Sequence, residues 1–273
     1  MLTAPVDHPL NLTMQTIVTA ASWGLTALLL LVALRYSLRE RTPFYVLLVL
    51  AVIVGAFVEP LYDTAMMLWF YAPGMWSHFS AFGIPQPVWT HSGYAILYAT
   101  PALFINRRIA SGTYQPNDLY VWAGIEFAMS CTFEMTVINA GCYEYWGPHV
   151  FRVFEYPLVI GILETAQVMC FAVAAAVLRR RVSRPVSLLA LFALFPAIFI
   201  MGNLGFGGPL VIALHFDAPS AALVYAGTLL SIGFALLAIR LAANVSELLI
   251  DEPPEIAVRA ELMTTYVMGT GTR

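Results

Sequence analysis

The 273-residue chain is 60% apolar and only 11% charged, with a net charge of −3 and a mean hydropathy of +0.78, which excludes the soluble globular class and indicates a polytopic membrane protein. No basic cluster is large enough to track a phosphate backbone, so nucleic acid is not expected as a partner. Every basic residue is an arginine; without lysine no Schiff base forms, and retinal-type chemistry is excluded.

Apolar runs of spanning length follow one another at Gln15 to Leu38, Pro43 to Phe70, Val88 to Ile105, Asp118 to Ile138, Pro157 to Leu178, Val186 to Leu204 and Pro219 to Ala242, predicting an all-α bundle of seven transmembrane helices. The first run is too long for a signal-peptide core and has no basic segment before it, so it reads as a retained span. Arginines gather after the first span (Arg35, Arg39, Arg41), the third (Arg107, Arg108) and the fifth (Arg179, Arg180, Arg181, Arg184), whereas the alternate loops hold only Arg152. By the positive-inside rule the amino terminus lies outside and the carboxyl terminus in the cytoplasm. The expected organisation is an outer segment over 1–14, the membrane domain over 15–244 and a cytoplasmic tail over 245–273, with little fixed structure from Glu247 onward. Trp69, Trp76, Trp89 and Trp146 fall at predicted outer ends, where an indole buries its face and wets its N–H.

The second span carries "VGAFVEPLYDTAMMLWF", with Glu59 and Asp63 one helical turn apart and Pro60 between them. A charge at bilayer depth costs a few kcal/mol even on lenient scales, so the pair requires compensation or a function. With the orientation above, Glu59, Asp63, Glu134 and Glu164 all map to the outer half, as do His91 and Asn203, while Glu126 lies deeper. This convergence predicts an outer cavity; the competing reading is a structural network of polar groups satisfied between helices. Two loops rich in Gly, Pro and aromatics, "YAPGMWSHFSAFGIPQP" and "INAGCYEYWGPHVFRVFEYP", read as lids over it. His78, His91, His149 and His215 show no HxxxH or HExxH spacing, and Cys131, Cys142 and Cys170 no CxxC, so neither a metal nor a disulfide framework is expected.

The segments "EPLYD" followed by "MLWFY", "HSGYAILYATPALF", and "FEMTVINAGCYEYWG" together resemble the AveC-type spirocyclase family, integral membrane proteins of actinobacteria named for the avermectin-pathway member that dehydrates and spirocyclises a polyketide. The similarity covers roughly Pro43 to Arg181. It implies a multi-pass protein of the bacterial plasma membrane, acting without a cofactor on a hydrophobic polyketide- or lipid-like small molecule. Glu59, Asp63, Glu134 and Tyr143 are the positions that match the pattern and where chemistry is possible. Spiroketal formation needs a proton donor, a stabiliser for an oxocarbenium ion and a base. Glu59 or Asp63 is expected as donor and Glu134 as base or cation stabiliser. Trp69, Tyr94, Tyr143 and Tyr145 are expected as aromatic or polar cavity wall, with His91, Glu164 and Asn203 beside the substrate. A membrane terpene cyclase fits the same features, and a proton-coupled carrier is the non-enzymatic rival; the nearly pure apolar cytoplasmic half argues against the carrier.

Overall fold

The protein, seen here as a computed structural model, is described over residues 3–250, so the expected tail from 251 on lies outside the described residues. Among the described residues, six helical stretches are long and apolar enough to cross a membrane: Leu12–Glu40, Phe44–Met66, Asp118–Asn139, Leu158–Arg181, Pro185–Gly205 and Ala221–Leu248. The run expected as a third span is also helical, from Thr90 to Ala110, but it is shorter in apolar reach and is interrupted midway. Helix ends shift from the sequence reading. The first helix, α1 (Leu12–Glu40), begins inside the expected outer segment, and the last runs through Glu247 to Leu248.

Prolines explain the interruptions. In the second span α2 (Phe44–Gly55) gives way to a tight 3-10 turn (Ala56–Val58) and then α3 (Glu59–Met66). Pro60 has no N–H to offer the Ala56 carbonyl, and the Glu59 N–H bonds that carbonyl instead. The third helix is α4 (Thr90–Tyr94), a wide π turn (Ala95–Ala99) and α5 (Thr100–Ala110), with Pro101 unable to donate one turn back. Next comes α6 (Asp118–Asn139), and α7 (Leu158–Arg181) forms the centre of the bundle, packed by α5, α6, α8 (Leu191–Ile200) and α10 (Ala221–Leu248). A second π turn, Met201–Gly205, follows α8 and leads to the short α9 (Gly208–Leu214).

The expectation of a purely helical chain needs one correction, because three small antiparallel ladders cap one end of the bundle. β1 (Leu68–Phe70) pairs with β4 (Tyr143–Tyr145), matching Leu68 to Tyr145 and Phe70 to Tyr143. β2 (Ser77–Ala81) and β3 (Ile84–Pro87) form a hairpin, and β5 (Arg152–Val153) pairs with β6 (Tyr156–Pro157). The turn residues of both short hairpins, Phe82-Gly83 and Phe154-Glu155, all have positive φ, the backbone that lets two residues reverse a twisted ladder. These strands are too short for a readable alternation. One of them ties the second lid loop to the end of the second span, since β4 lies in that loop and β1 lies just before the first lid loop begins.

The opposite end is closed by an ion cluster. Glu40 pairs with Arg179 at 2.8 Å and with Arg107 at 3.2 Å, Tyr45 donates to it at 2.8 Å, and the Arg179 guanidinium lies 4.9 Å from the Phe44 and Tyr45 ring centres. Between the two ends, small residues allow close helix approach. At Gly55 an added Cβ would overlap the Phe195 ring. Gly55→Ala is therefore expected to destabilise the bundle by about 1–3 kcal/mol through overpacking, measured as a lower unfolding midpoint in detergent. An unchanged midpoint would mean that α2 and α8 do not pack this tightly.

Candidate functional site

α3 is short because Met67 turns left-handed (φ 53°), ending the helix just after its two acids. Glu59 and Asp63 face inward, both buried. Their carboxyls lie close enough to act on each other, and each has a separate donor: the Tyr94 hydroxyl donates to Glu59, and the Gln86 amide donates to Asp63 at 2.6 Å. Two neighbouring buried carboxyls attract only when a proton lies between them. The hairpin loop, through Gln86, thus reaches down to the acid pair.

Glu134 on α6 and Glu164 on α7 occupy the same region. The Tyr145 hydroxyl lies 3.4 Å from Glu134 and 2.9 Å from the Tyr62 hydroxyl. Tyr143 faces Glu134 closely enough to feel its charge but completes no well-aligned bond. Glu164 accepts from Tyr98 at 2.7 Å and Ser130 at 2.5 Å, with Tyr156 at 3.4 Å. Burial, and then the nearby Glu134 carboxyl, holds the loop phenols Tyr143 and Tyr145 well above the usual phenol range, so both remain proton donors. Each carboxyl is therefore surrounded by hydroxyl or amide donors rather than by cations.

These groups enclose a cavity of about 30 Å³, room for one or two waters. Glu59, Tyr62, Tyr94, Tyr98, Glu134, Tyr143, Tyr145 and Glu164 line it, closed by aromatic faces from Phe70, Trp89 and Phe133. Asp63 stands one layer behind Glu59.

Three residues expected at the cavity lie elsewhere. Trp69 is the middle residue of β1, whose neighbours Leu68 and Phe70 face the cavity, so strand alternation turns the indole to the other side. His91 is drawn to α2, its ring bonded to the Ile53 carbonyl at 2.6 Å and to His78 at 2.7 Å. Asn203 sits in the second π turn and donates to the Phe199 carbonyl. Sequence reasoning missed Tyr62, Tyr98, Ser130 and Tyr156, and placed Trp89 among the tryptophans at outer span ends rather than among the cavity residues. Two had a signal: Tyr62 follows Glu59 by three residues and Tyr98 follows Tyr94 by four, so each shares a helix face with a nominated residue.

His149 pins the second loop, its Nε2 donating to the Met66 carbonyl at 2.8 Å while Nδ1 is buried without a partner. Burial, with minor help from Arg152 and His215, depresses it from 6.5 to about 4. The unfolded chain takes up this proton near pH 6.5 and the folded one does not, so stability is full above pH 6.5 and declines as pH falls toward 4. The loss is expected to reach about 3 kcal/mol, and His149→Gln, which keeps the donor, is expected to flatten that part of a stability-versus-pH curve. A variant with the wild-type slope would assign the acid sensitivity to other groups.

The fold and site define a polytopic helical membrane protein with a small buried carboxyl–phenol cavity at its strand-capped end. No family model, curated protein or solved structure compared with the chain matches it.

Proposed function

We propose that the chain is a cofactor-independent membrane cyclase of the AveC-type spirocyclase kind, acting on a hydrophobic polyketide- or lipid-like substrate. The Thr90–Ala110 helix is the seventh span, the strand-capped end faces outward with the amino terminus, and the arginine-rich end faces the cytoplasm of an actinobacterial cell. The arginine distribution supports this orientation, and the family resemblance rests on the sequence segments quoted above. The observation that carries the reaction is the meeting of Glu59, Glu134 and Glu164 from separate helices around one small cavity walled by tyrosines.

In this reading a substrate hydroxyl adds to a ketone to form a hemiketal, Glu59 donates a proton to the hemiketal hydroxyl, and water leaves. Asp63, one turn along the same helix, positions Glu59 and replenishes the proton. The resulting oxocarbenium ion faces the rings of Tyr94, Trp89 and Tyr143. The second hydroxyl then attacks, its proton passing to Glu134, and the net change is loss of one water. Glu164, saturated by three hydroxyls, orients Tyr98 at the wall. The same ring of aromatics favours a second reading, a terpene-type cyclase in which Glu59 protonates an epoxide.

Purified protein in nanodiscs, offered a dihydroxy-ketone and, separately, a polyprenyl epoxide, distinguishes these. The proposal expects a ketone product lighter by one water. Conversion of the epoxide alone, to a cyclic isomer of unchanged mass, would transfer the site to terpene chemistry. Conversion of neither, with substrate-dependent proton flux in proteoliposomes, would make the protein a carrier.

A further inference from the structure

The acid cavity is far too small for a polyketide or lipid, yet a space of about 630 Å³ lies directly beside it, a volume typical of sites for sizeable organic ligands. It is a groove between α1 and α6, with Ile96 and Leu97 of the first π turn as its floor. Along α1 it runs from Met14 to Leu25, about 17 Å at the helical rise. Ile17 and Leu25 at its rim are more than half exposed, so the groove opens sideways, toward where the hydrocarbon of a bilayer lies.

Its chemistry is specific. The side chains are apolar except for Ser22, Thr132 and Thr136, and each of these hydroxyls is already engaged: Ser22 with Ser92 at 2.8 Å, Thr132 with the Ala128 carbonyl at 2.7 Å, and Thr136 with the Thr132 carbonyl at 2.6 Å. The groove therefore offers an occupant no uncommitted hydroxyl donor and only three hydroxyl oxygens amid an otherwise apolar wall. Leu97 and Phe133 line both this groove and the acid cavity, so two side chains form the partition between a nearly apolar trough and a ring of carboxyls. Leu97 sits in a π turn, a device frequent at functional positions because its backbone is less tightly tied.

We propose that this groove is the binding site for the hydrocarbon chain of an amphiphilic substrate that arrives laterally from the membrane, with its polar, reacting end passing Leu97 and Phe133 into the acid cavity. The occupant is a long chain with a single oxygenated end. This proposal rests on the cyclase reading for what happens at the polar end, but binding of the chain can be measured without turnover.

The probe is a long-chain primary alcohol carrying a diazirine at mid-chain, photolysed with the protein in nanodiscs and mapped by peptide mass spectrometry. Label is expected on the α1 and α6 peptides that line the groove. Ala21→Trp and Ala128→Trp, which fill the groove from either side, are expected to reduce it about tenfold, as for a loss of about 1.4 kcal/mol of binding. Leu236→Trp, on an exposed face of α10, is expected to leave it unchanged. Label spread evenly over lipid-facing helices, or undiminished by both fillings in protein of wild-type yield, overturns the proposal. Groove-specific label in a protein that converts neither cyclase substrate supports the chain site and sinks the cyclase reading.

Discussion

Glu59→Gln and Asp63→Asn are each expected to lower turnover of a dihydroxy-ketone by about 10²–10⁴-fold, the range for removing a positioned proton donor, while extractable yield stays at the wild-type level. The reason is geometric. The two carboxyls are neighbours one helical turn apart, and Tyr94 donates to one oxygen of Glu59 while Gln86 donates to one oxygen of Asp63. Either amide keeps size and hydrogen bonding but breaks the arrangement that delivers a proton. Of the two, Glu59 lines the cavity and Asp63 does not, so the loss at Glu59 is expected to exceed that at Asp63. Conservative Asp63→Glu is expected to recover part of the rate, which a purely structural role for the pair would not require. Activity persisting in both neutral variants would remove the acid pair from the mechanism.

The second large effect lies at the other end of the bundle. Arg179→Met is expected to cost about 3–5 kcal/mol of stability, because it leaves Glu40 buried with one of its two cations gone. The remaining partner, Arg107, is about a quarter exposed and compensates incompletely. Arg179 also packs between the Phe44 and Tyr45 rings, so part of the loss is cation–π contact. Adding Glu40→Gln to the Arg179→Met variant is expected to restore much of the difference, since the uncompensated charge disappears with its partner. Unfolding in a detergent series reads both numbers. If Arg179→Met alone unfolds like wild type, the cluster does not lock α1, α2 and α7 together.

Much of the helical frame was legible because lipid imposes one simple rule, that a backbone crossing hydrocarbon must satisfy itself. Long apolar runs therefore marked the helices, and Pro60 marked the break beside the acids. The wide turns at Ala95–Ala99 and Met201–Gly205 were not legible, because a π turn adds one residue to an unchanged apolar pattern. The acids were legible as a set, since charges inside apolar runs stand out. Their partners were harder to see. Whether Trp69 or Trp89 walls the cavity depends on the pairing of β1 with β4, residues some seventy-five positions apart, and no local pattern encodes that register. His91 looked like a cavity residue on depth alone, yet a backbone carbonyl of α2 and a second histidine on the hairpin hold it away. Depth can be read from topology, whereas rotation about the helix axis requires knowing the neighbours.

The most direct test of the acid-pair account is infrared spectroscopy of the carboxyl C=O stretch in the purified protein at neutral pH, taken as differences between wild type and the Glu59→Gln and Asp63→Asn variants. A proton held between the two side chains predicts a protonated-carboxyl band in the wild type that shifts or vanishes in each variant and moves in deuterated water. A spectrum in which both substitutions remove only ionised carboxylate signal would contradict the account, since a pair with no proton has none to give.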